Sequence, residues 1–228
     1  MSSVVPVVLD WVPTSLRRVI EPRLHVLRAA KGRTLIGVGA RSTDVFFVIE
    51  GEAQVVLYSS NGREVSVRVL GPGEVFGDLA AMDSLPRSAS VVALTELRVA
   101  AMSGADFMAC IESSPAAAVW LARRLGAEVR RLTEKVFELS ALNVQSRLHC
   151  ELLRMARLGS DNDGPVRVSP APTHAELASR IGTHREAVTR EMRMLAQRNI
   201  IRHRRRSLEF LDLAGLEVSV SRVVGEFA

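Results

Sequence analysis

The spacing of apolar residues changes twice along the chain. From about residue 24 to 102 they come in short runs, VFFVIEG, AQVVLYS, EVSVRVL, SASVVAL and LRVAAMS. These runs are rich in β-branched and aromatic side chains, as strands are. EVSVRVL alternates, Val65, Val67 and Val69 against Glu64, Ser66 and Arg68. That alternation predicts a half-buried strand with its valines inward. Asn61-Gly62, between the second and third runs, predicts a hairpin turn. Many short strands at close spacing point to a barrel or sandwich.

From about 104 to 158 the period becomes helical. Ala118, Leu121, Leu125, Val129, Leu132, Val136 and Leu139 recur every three or four residues, with charged residues between many of them. Pro115 suits a first turn, and the pattern runs through Gly126. So long and narrow a stripe is what a two-stranded coiled coil buries, so the helix is expected to form a dimer seam. A helix packed only on its own domain is the alternative.

GSDNDGP, residues 159–165, has loop chemistry throughout. Two short helical patterns follow. Thr173-His-Ala-Glu176 and Thr183-His-Arg-Glu186 both have the form of a capping box. Gly182 lies between them, where a tight turn needs a residue without Cβ. Two short helices around such a turn are a helix-turn-helix. The second has an apolar stripe, Val188, Met192 and Leu195, and displays Arg185, Glu186 and Arg190 away from it. NIIRHRRRSLEFLDL reads as two strands around an arginine-rich tip, a wing.

Charge sharpens this picture. The chain of 228 residues carries a net charge of +5. Residues 144–213 hold 13 arginines, no lysine and 8 acidic residues, so they carry the whole excess. A basic module on a neutral one suits a polyanionic partner; a solvated arginine surface is the other meaning of the same count. In a helix-turn-helix the second helix lies in the DNA major groove. Arg bonds guanine O6 and N7, and Glu accepts from cytosine N4. An Arg–Glu pair on a solvated surface is the plainer alternative for Arg185, Glu186 and Arg190.

No apolar run is long enough for a membrane span. The N-terminus lacks early positive charge, and Asp10 interrupts its apolar run, so a signal peptide is not expected. Cys110 and Cys150 lie in no metal-ligand spacing. Both are expected as buried structural residues of a cytoplasmic protein. No nucleophile motif, metal cluster or Walker loop is present, so an enzyme is not expected.

GEVFGDLAAMDSLPRSASV, residues 73–91, carries the second site. Gly77 allows close backbone approach, and a helical turn follows whose free N–H groups suit an anion. Arg87 can hold a phosphate bidentately, Ser88 can donate a hydroxyl, and Asp78 suits a ribose hydroxyl. A structural ion pair between Asp78 and Arg87 is equally open.

TxxELAxxIGxxREAVTRxMxxLxxxxII resembles the helix-turn-helix of the catabolite activator protein and FNR (Crp/Fnr) family of bacterial transcription regulators. The resemblance implies that this motif docks on DNA as it does in those regulators. The resemblance runs from about residue 15 to 213. It implies base reading by Arg185, Glu186 and Arg190 on a GTGA-like half-site, with Thr173 on phosphate. Thr183, His184 and Thr189 complete the expected DNA face, and Arg202, His203, Arg204, Arg205 and Arg206 would add sequence-blind contacts to the backbone. Residues 73–91 are similar to the phosphate-binding cassette of cyclic-nucleotide-binding domains, FGE(L/M)A then PR(S/A)A(T/S)V. Gly77, Leu79, Ala80, Pro86, Arg87, Ser88, Ala89 and Val91 fit, and the family implies that Arg87 and Ser88 hold the cyclic phosphate. Asp78 stands where Glu is usual. Leu132 and Thr133 stand where cyclic-AMP-binding members have a Thr-Ser pair facing the purine.

The resemblance therefore implies an α+β chain in three parts. Residues 1–113 form a jelly-roll-like cyclic-nucleotide-binding β-roll, 114–143 a long dimerisation helix, and 144–228 a winged helix-turn-helix. Cyclic AMP or cyclic GMP is the expected effector, and no cofactor or metal is expected. Double-stranded DNA, a second copy of the chain and RNA polymerase are the expected partners, and a membrane is not. Two scattered cysteines exclude an iron–sulfur cluster that wants four. A β-roll that has lost cyclic nucleotides, in a regulator that needs another ligand or none, is the alternative.

Overall fold

A computed structural model of the chain describes residues 14–59, 64–158 and 166–224. The Asn61-Gly62 turn and the GSDNDGP linker, residues 159–165, lie outside the described residues. The chain divides into two compact units, residues 1–130 and 131–228, and the long helix contributes to both.

The first unit opens with α1 (Thr14–Ile20), β1 (His25–Ala29) and β2 (Thr34–Ile36). β3 (Val45–Glu50), β4 (Ala53–Tyr58), β5 (Glu64–Leu70) and β6 (Val75–Phe76) follow. Then come α2 (Asp78–Asp83), β7 (Ser90–Ala93), β8 (Leu97–Met102), α3 (Gly104–Glu112) and the long α4 (Pro115–Ala141). Two antiparallel four-stranded sheets form, in the orders β1-β8-β3-β6 and β2-β7-β4-β5. This is the expected β-roll.

The continuous apolar run of β3 has a physical reason. Successive strand residues point to opposite faces, and both faces of this sheet are covered. Phe46 and Val48 join the core shared with β4 and β7, where Phe46 stacks on Phe76 at 5.0 Å. Val45 and Phe47 pack instead with Ile20, Phe107, Ile111 and Leu121 from the helices. Fully burying such a side chain contributes about 1.5–3 kcal/mol.

β5 departs from the expected alternation. Ser66 and Leu70 are its buried residues, and Val65, Val67 and Val69 are half-buried. The β4–β5 register is irregular between Val55 and Val56. An irregularity of one residue exchanges the faces of a strand.

α4 starts at Pro115 and runs through Gly126 as expected. Leu121 is buried, whereas Val129 and Val136 are each 63% exposed, with Leu132 and Leu139 also exposed.

The second unit contains the end of α4, α5 (Val144–Leu158), β9 (Arg167–Val168), α6 (His174–Ile181) and α7 (Arg185–Gln197). The wing strands β10 (Ile201–His203) and β11 (Leu208–Phe210) and the terminal α8 (Leu213–Val224) complete it. β9 joins the wing to give the sheet β10-β11-β9. Val188, Met192 and Leu195 of α7 pack with Leu148, Leu152, Leu177 and Ile181. Leu216 and Val220 of α8 enter the same core. Cys110 is buried as expected; Cys150 is only partly so, and both are free thiols.

Charged side chains fasten the end of α4 to the helices beside it. Lys135 Nζ donates to the Arg180 carbonyl at the end of α6. Arg154 of α5 bonds Glu138 at 2.5 Å and also bonds Glu151. Arg180 reaches Glu151 at 3.3 Å.

Candidate functional site

The first candidate site is built around a sharp turn. β6 delivers the chain to Gly77, at φ +86°, and α2 begins at Asp78. A Cβ on Gly77 would lie 2.5 Å from the Asp44 carbonyl oxygen and 2.9 Å from Arg87 Nη1. Glycine is required there both for its positive φ and for that close approach.

Arg87 fills the space beneath. It lies between α2 and β7, and its backbone bonds Ala40 and Gly39. The residue is 4% exposed. Its Nη1 donates to the Gly77 carbonyl at 2.8 Å, its Nη2 to the Asp44 carbonyl at 2.7 Å, and its Nε to Ser42 Oγ at 3.2 Å. All three acceptors are neutral. Burial pushes the guanidinium below its ordinary pKa, against the opposing pull of the Asp44 and Asp78 carboxylates. No carboxylate lies in direct contact with it among the described residues. A buried cation with only neutral partners is suited to an anion.

Asp78 pairs elsewhere. Arg124 of α4 reaches its Oδ2 with Nε at 3.1 Å and Nη2 at 3.0 Å, and Nη2 also donates to the Val75 carbonyl at 2.6 Å. An ion pair at Asp78 does form, then, with Arg124 in place of Arg87. Ser88 and Leu79 are exposed beside this turn. Leu132 and Thr133 lie on the part of α4 that belongs to the second unit, and both are exposed.

In the second unit the first capping box forms. Thr173 Oγ1 accepts from Glu176 N at 3.2 Å, and Glu176 Oε2 accepts from Thr173 N at 2.7 Å. The second does not. α7 starts at Arg185 with His184 as its N-cap and no side-chain cap bond. The reason lies in the preceding turn: Gly182 closes α6 in the left-handed region, and the Thr183 N–H bonds back to the Ala178 carbonyl at 2.9 Å. Thr183 belongs to the end of one helix and is unavailable as the start of the next.

Arg185, Glu186 and Arg190 are exposed together on α7, opposite its buried stripe. Thr189 is held inward. Its hydroxyl donates to the Arg185 carbonyl at 2.9 Å and meets His174 Nδ1 at 2.8 Å. Having one proton, the hydroxyl accepts from Nδ1, which places the His174 proton there. The His174 ring stands edge-on to His203, centroids 5.8 Å apart. Burial first, then His203, Arg185 and Arg193, hold His174 below its ordinary pKa. His149 of α5 ties α7 down through Glu191, at 2.9 Å. Arg202 and Arg204 are exposed but turn to Glu209.

A buried guanidinium under a glycine turn in a β-roll, followed by a helix-turn-helix with a wing, defines the class: a sensor domain joined to a DNA-binding domain. Comparison with known families agrees. Residues 26–114 match the model of the cyclic nucleotide-binding domain, and residues 146–219 match the Crp-like helix-turn-helix domain. The chain belongs to the Crp/Fnr family of transcription regulators. It is 31% identical over 190 residues to the cyclic AMP receptor protein of Thermus thermophilus, covering 82% of this chain and 84% of that one. It is 27% identical over 206 residues to the CRP-like cAMP-activated global transcriptional regulator of Mycobacterium tuberculosis, covering 90% and 92%. In fold it is similar to the c-di-GMP responsive global regulator CLP of Xanthomonas campestris, with a TM-score of 0.75 at 17% identity over 87% of this chain and 99% of that one. Among the described residues no helix is long and apolar enough to cross a membrane.

Among the contributors to these sites that escape the sequence pattern are Arg124, Ser42, the Asp44 carbonyl and Glu209. Arg124 sits in an arginine-rich helix with nothing local to single it out. A backbone carbonyl leaves no mark in sequence. Glu209 did leave a signal, a carboxylate between Leu208 and Phe210 within an apolar strand.

Proposed function

We propose that the chain is a homodimeric transcription regulator, controlled by a cyclic nucleotide and reading a GTGA-like pseudo-palindrome in double-stranded DNA. The observation that carries the effector half is Arg87, a buried guanidinium whose contacts are all neutral. In this reading Arg87 holds the cyclic phosphate, helped by Ser88 and by the backbone at Gly77 and Leu79. Asp78 takes the ribose hydroxyl. Leu132 and Thr133 keep the base-facing role that the family resemblance gives them. Cyclic AMP is favoured over cyclic GMP by the relatives named as cAMP-responsive.

The exposed Val129, Leu132, Val136 and Leu139 support dimerisation through α4. A dimer presents two copies of α7 to two half-sites. Arg185, Glu186 and Arg190 read bases, while Thr173 and His184, at the N-terminal ends of α6 and α7, meet phosphates. The effector acts by favouring one of two arrangements of the DNA-binding units, and RNA polymerase is the partner whose recruitment or exclusion reports it. Such a protein works in the cytoplasm and performs no catalysis.

One observation favours a second reading, a regulator that uses another ligand or none: the Asp78 carboxylate is already held by Arg124. Isothermal titration of nucleotide-stripped protein with cyclic AMP, then cyclic GMP, separates the two. Micromolar or tighter binding of either supports the first. No heat and an unchanged melting temperature with both would leave the second.

A further inference from the structure

The wing carries a buried carboxylate to which the proposed function gives no role. Glu209 stands on β11, the middle strand of its sheet, and is 4% exposed. The register puts Arg202 of β10 opposite it on one side and Arg167 of β9 on the other. Arg167 Nη2 lies 2.7 Å from its carboxylate, Arg204 Nε 3.3 Å and Arg202 Nη1 3.9 Å.

Strand alternation divides these residues between two faces. Ile201 enters the core, and His203, on the same face, meets His174 of α6. Arg202 and Glu209 point the other way. One buried anion thus gathers three cations on the sheet face turned from the helix-turn-helix. Arg205 and Arg206, at the tip, are exposed, and among the described residues neither guanidinium has a carboxylate partner.

We propose that Glu209 sets the charge that the wing presents to DNA. It keeps Arg167, Arg202 and Arg204 as its own counter-ions and leaves Arg205 and Arg206 to meet the phosphates. The proposal rests on the DNA-binding role of this unit. A phosphate that drew Arg202 or Arg204 away would take one of three cations from a buried carboxylate, a cost set against the small return of an exposed pairing. Glu209 is therefore a positioning residue, and it acts through the arginines.

Salt dependence counts the cations on DNA, because each neutralised phosphate releases counterions. The test is fluorescence anisotropy of the full-length protein with a labelled duplex of random sequence, across a range of salt. Arg205→Ala and Arg206→Ala are each expected to flatten the slope of log affinity against log salt by about 0.9. Arg202→Ala leaves it unchanged. Glu209→Gln, which keeps the shape and removes the anion, steepens it by about 0.9 or more. The proposal falls if Arg202→Ala flattens the slope as much as Arg206→Ala, if Glu209→Gln leaves it unchanged, or if neither tip variant alters it. Failure of the DNA-binding role itself looks different: the unmodified protein then binds no duplex at low salt. Should Glu209→Gln not fold by circular dichroism, the contrast between Arg202→Ala and Arg206→Ala decides.

Discussion

Arg124 and Asp78 lie 46 positions apart in sequence and share a two-pronged contact at 3.0 and 3.1 Å, both side chains mostly buried. The long helix therefore holds the carboxylate at the start of α2. Removing one partner of such a pair strands the other. Arg124→Leu is expected to destabilise the sensor unit by about 3–5 kcal/mol. Adding Asp78→Asn should restore most of it, since both charges are then gone. Equal losses in thermal unfolding of the single and double variants would show that the two residues are not coupled.

Arg87 has structural work beside the binding role proposed for it. Arg87→Ala leaves the Gly77 and Asp44 carbonyls without their donor, at about 1–3 kcal/mol for a buried group so stranded. Nucleotide binding by titration should vanish in the same variant. Arg87→Lys keeps the charge but loses the fork; it should recover more of the melting temperature than of the affinity. Undiminished binding in Arg87→Ala would remove the cassette as the sensor.

Arg185→Ala should cost roughly 1–3 kcal/mol of discrimination at one guanine. Competition between an operator duplex and its single-base variants measures this. A specificity profile identical to that of the unmodified chain would sink the assignment.

His174 makes stability depend on pH. Its folded-state pKa lies below the ordinary 6.5 because of burial, then of His203, Arg185 and Arg193. Well above 6.5 both folded and unfolded chains are neutral at this ring, and it contributes nothing. As pH falls through it, the unfolded chain takes up the proton first, so stability declines until the folded ring also protonates. His174→Asn keeps an N–H for Thr189 and cannot titrate. Its melting temperature should fall less between about pH 7 and about pH 5.5 than that of the unmodified chain.

Val136→Glu places a charge on the exposed stripe of α4. Sedimentation should then show the monomer at concentrations where the unmodified chain is a dimer. A dimer that survives, with Val129→Glu surviving too, would put the interface elsewhere.

Residues whose partners are close in sequence were the legible ones. Thr173 and Glu176 cap one helix across three positions, and the stripe of Val188, Met192 and Leu195 lies within one helix. The apolar runs gave β3, β4, β5, β7 and β8. β1 is mostly exposed, and β2 and β6 have three and two residues, so these strands exist because β8, β7 and β3 pair with them. Thr183 misled because two helices compete for one residue. The cassette showed which side chains are present, but Arg87 meets Ser42 and Asp44, and Asp78 meets Arg124, through contacts that only the fold supplies.

The ionic fastening of Lys135, Glu138, Glu151, Arg154 and Arg180 has a consequence for the DNA. It ties the last turns of α4 to α5 and to α6, the first helix of the helix-turn-helix. In the proposed dimer the coiled seam then becomes a ruler, fixing the gap between the two reading heads. One added base pair between half-sites turns the second by about a tenth of a helical turn. A ruler of this kind does not stretch to follow it, so in that proposal the spacing of the operator counts as much as its letters.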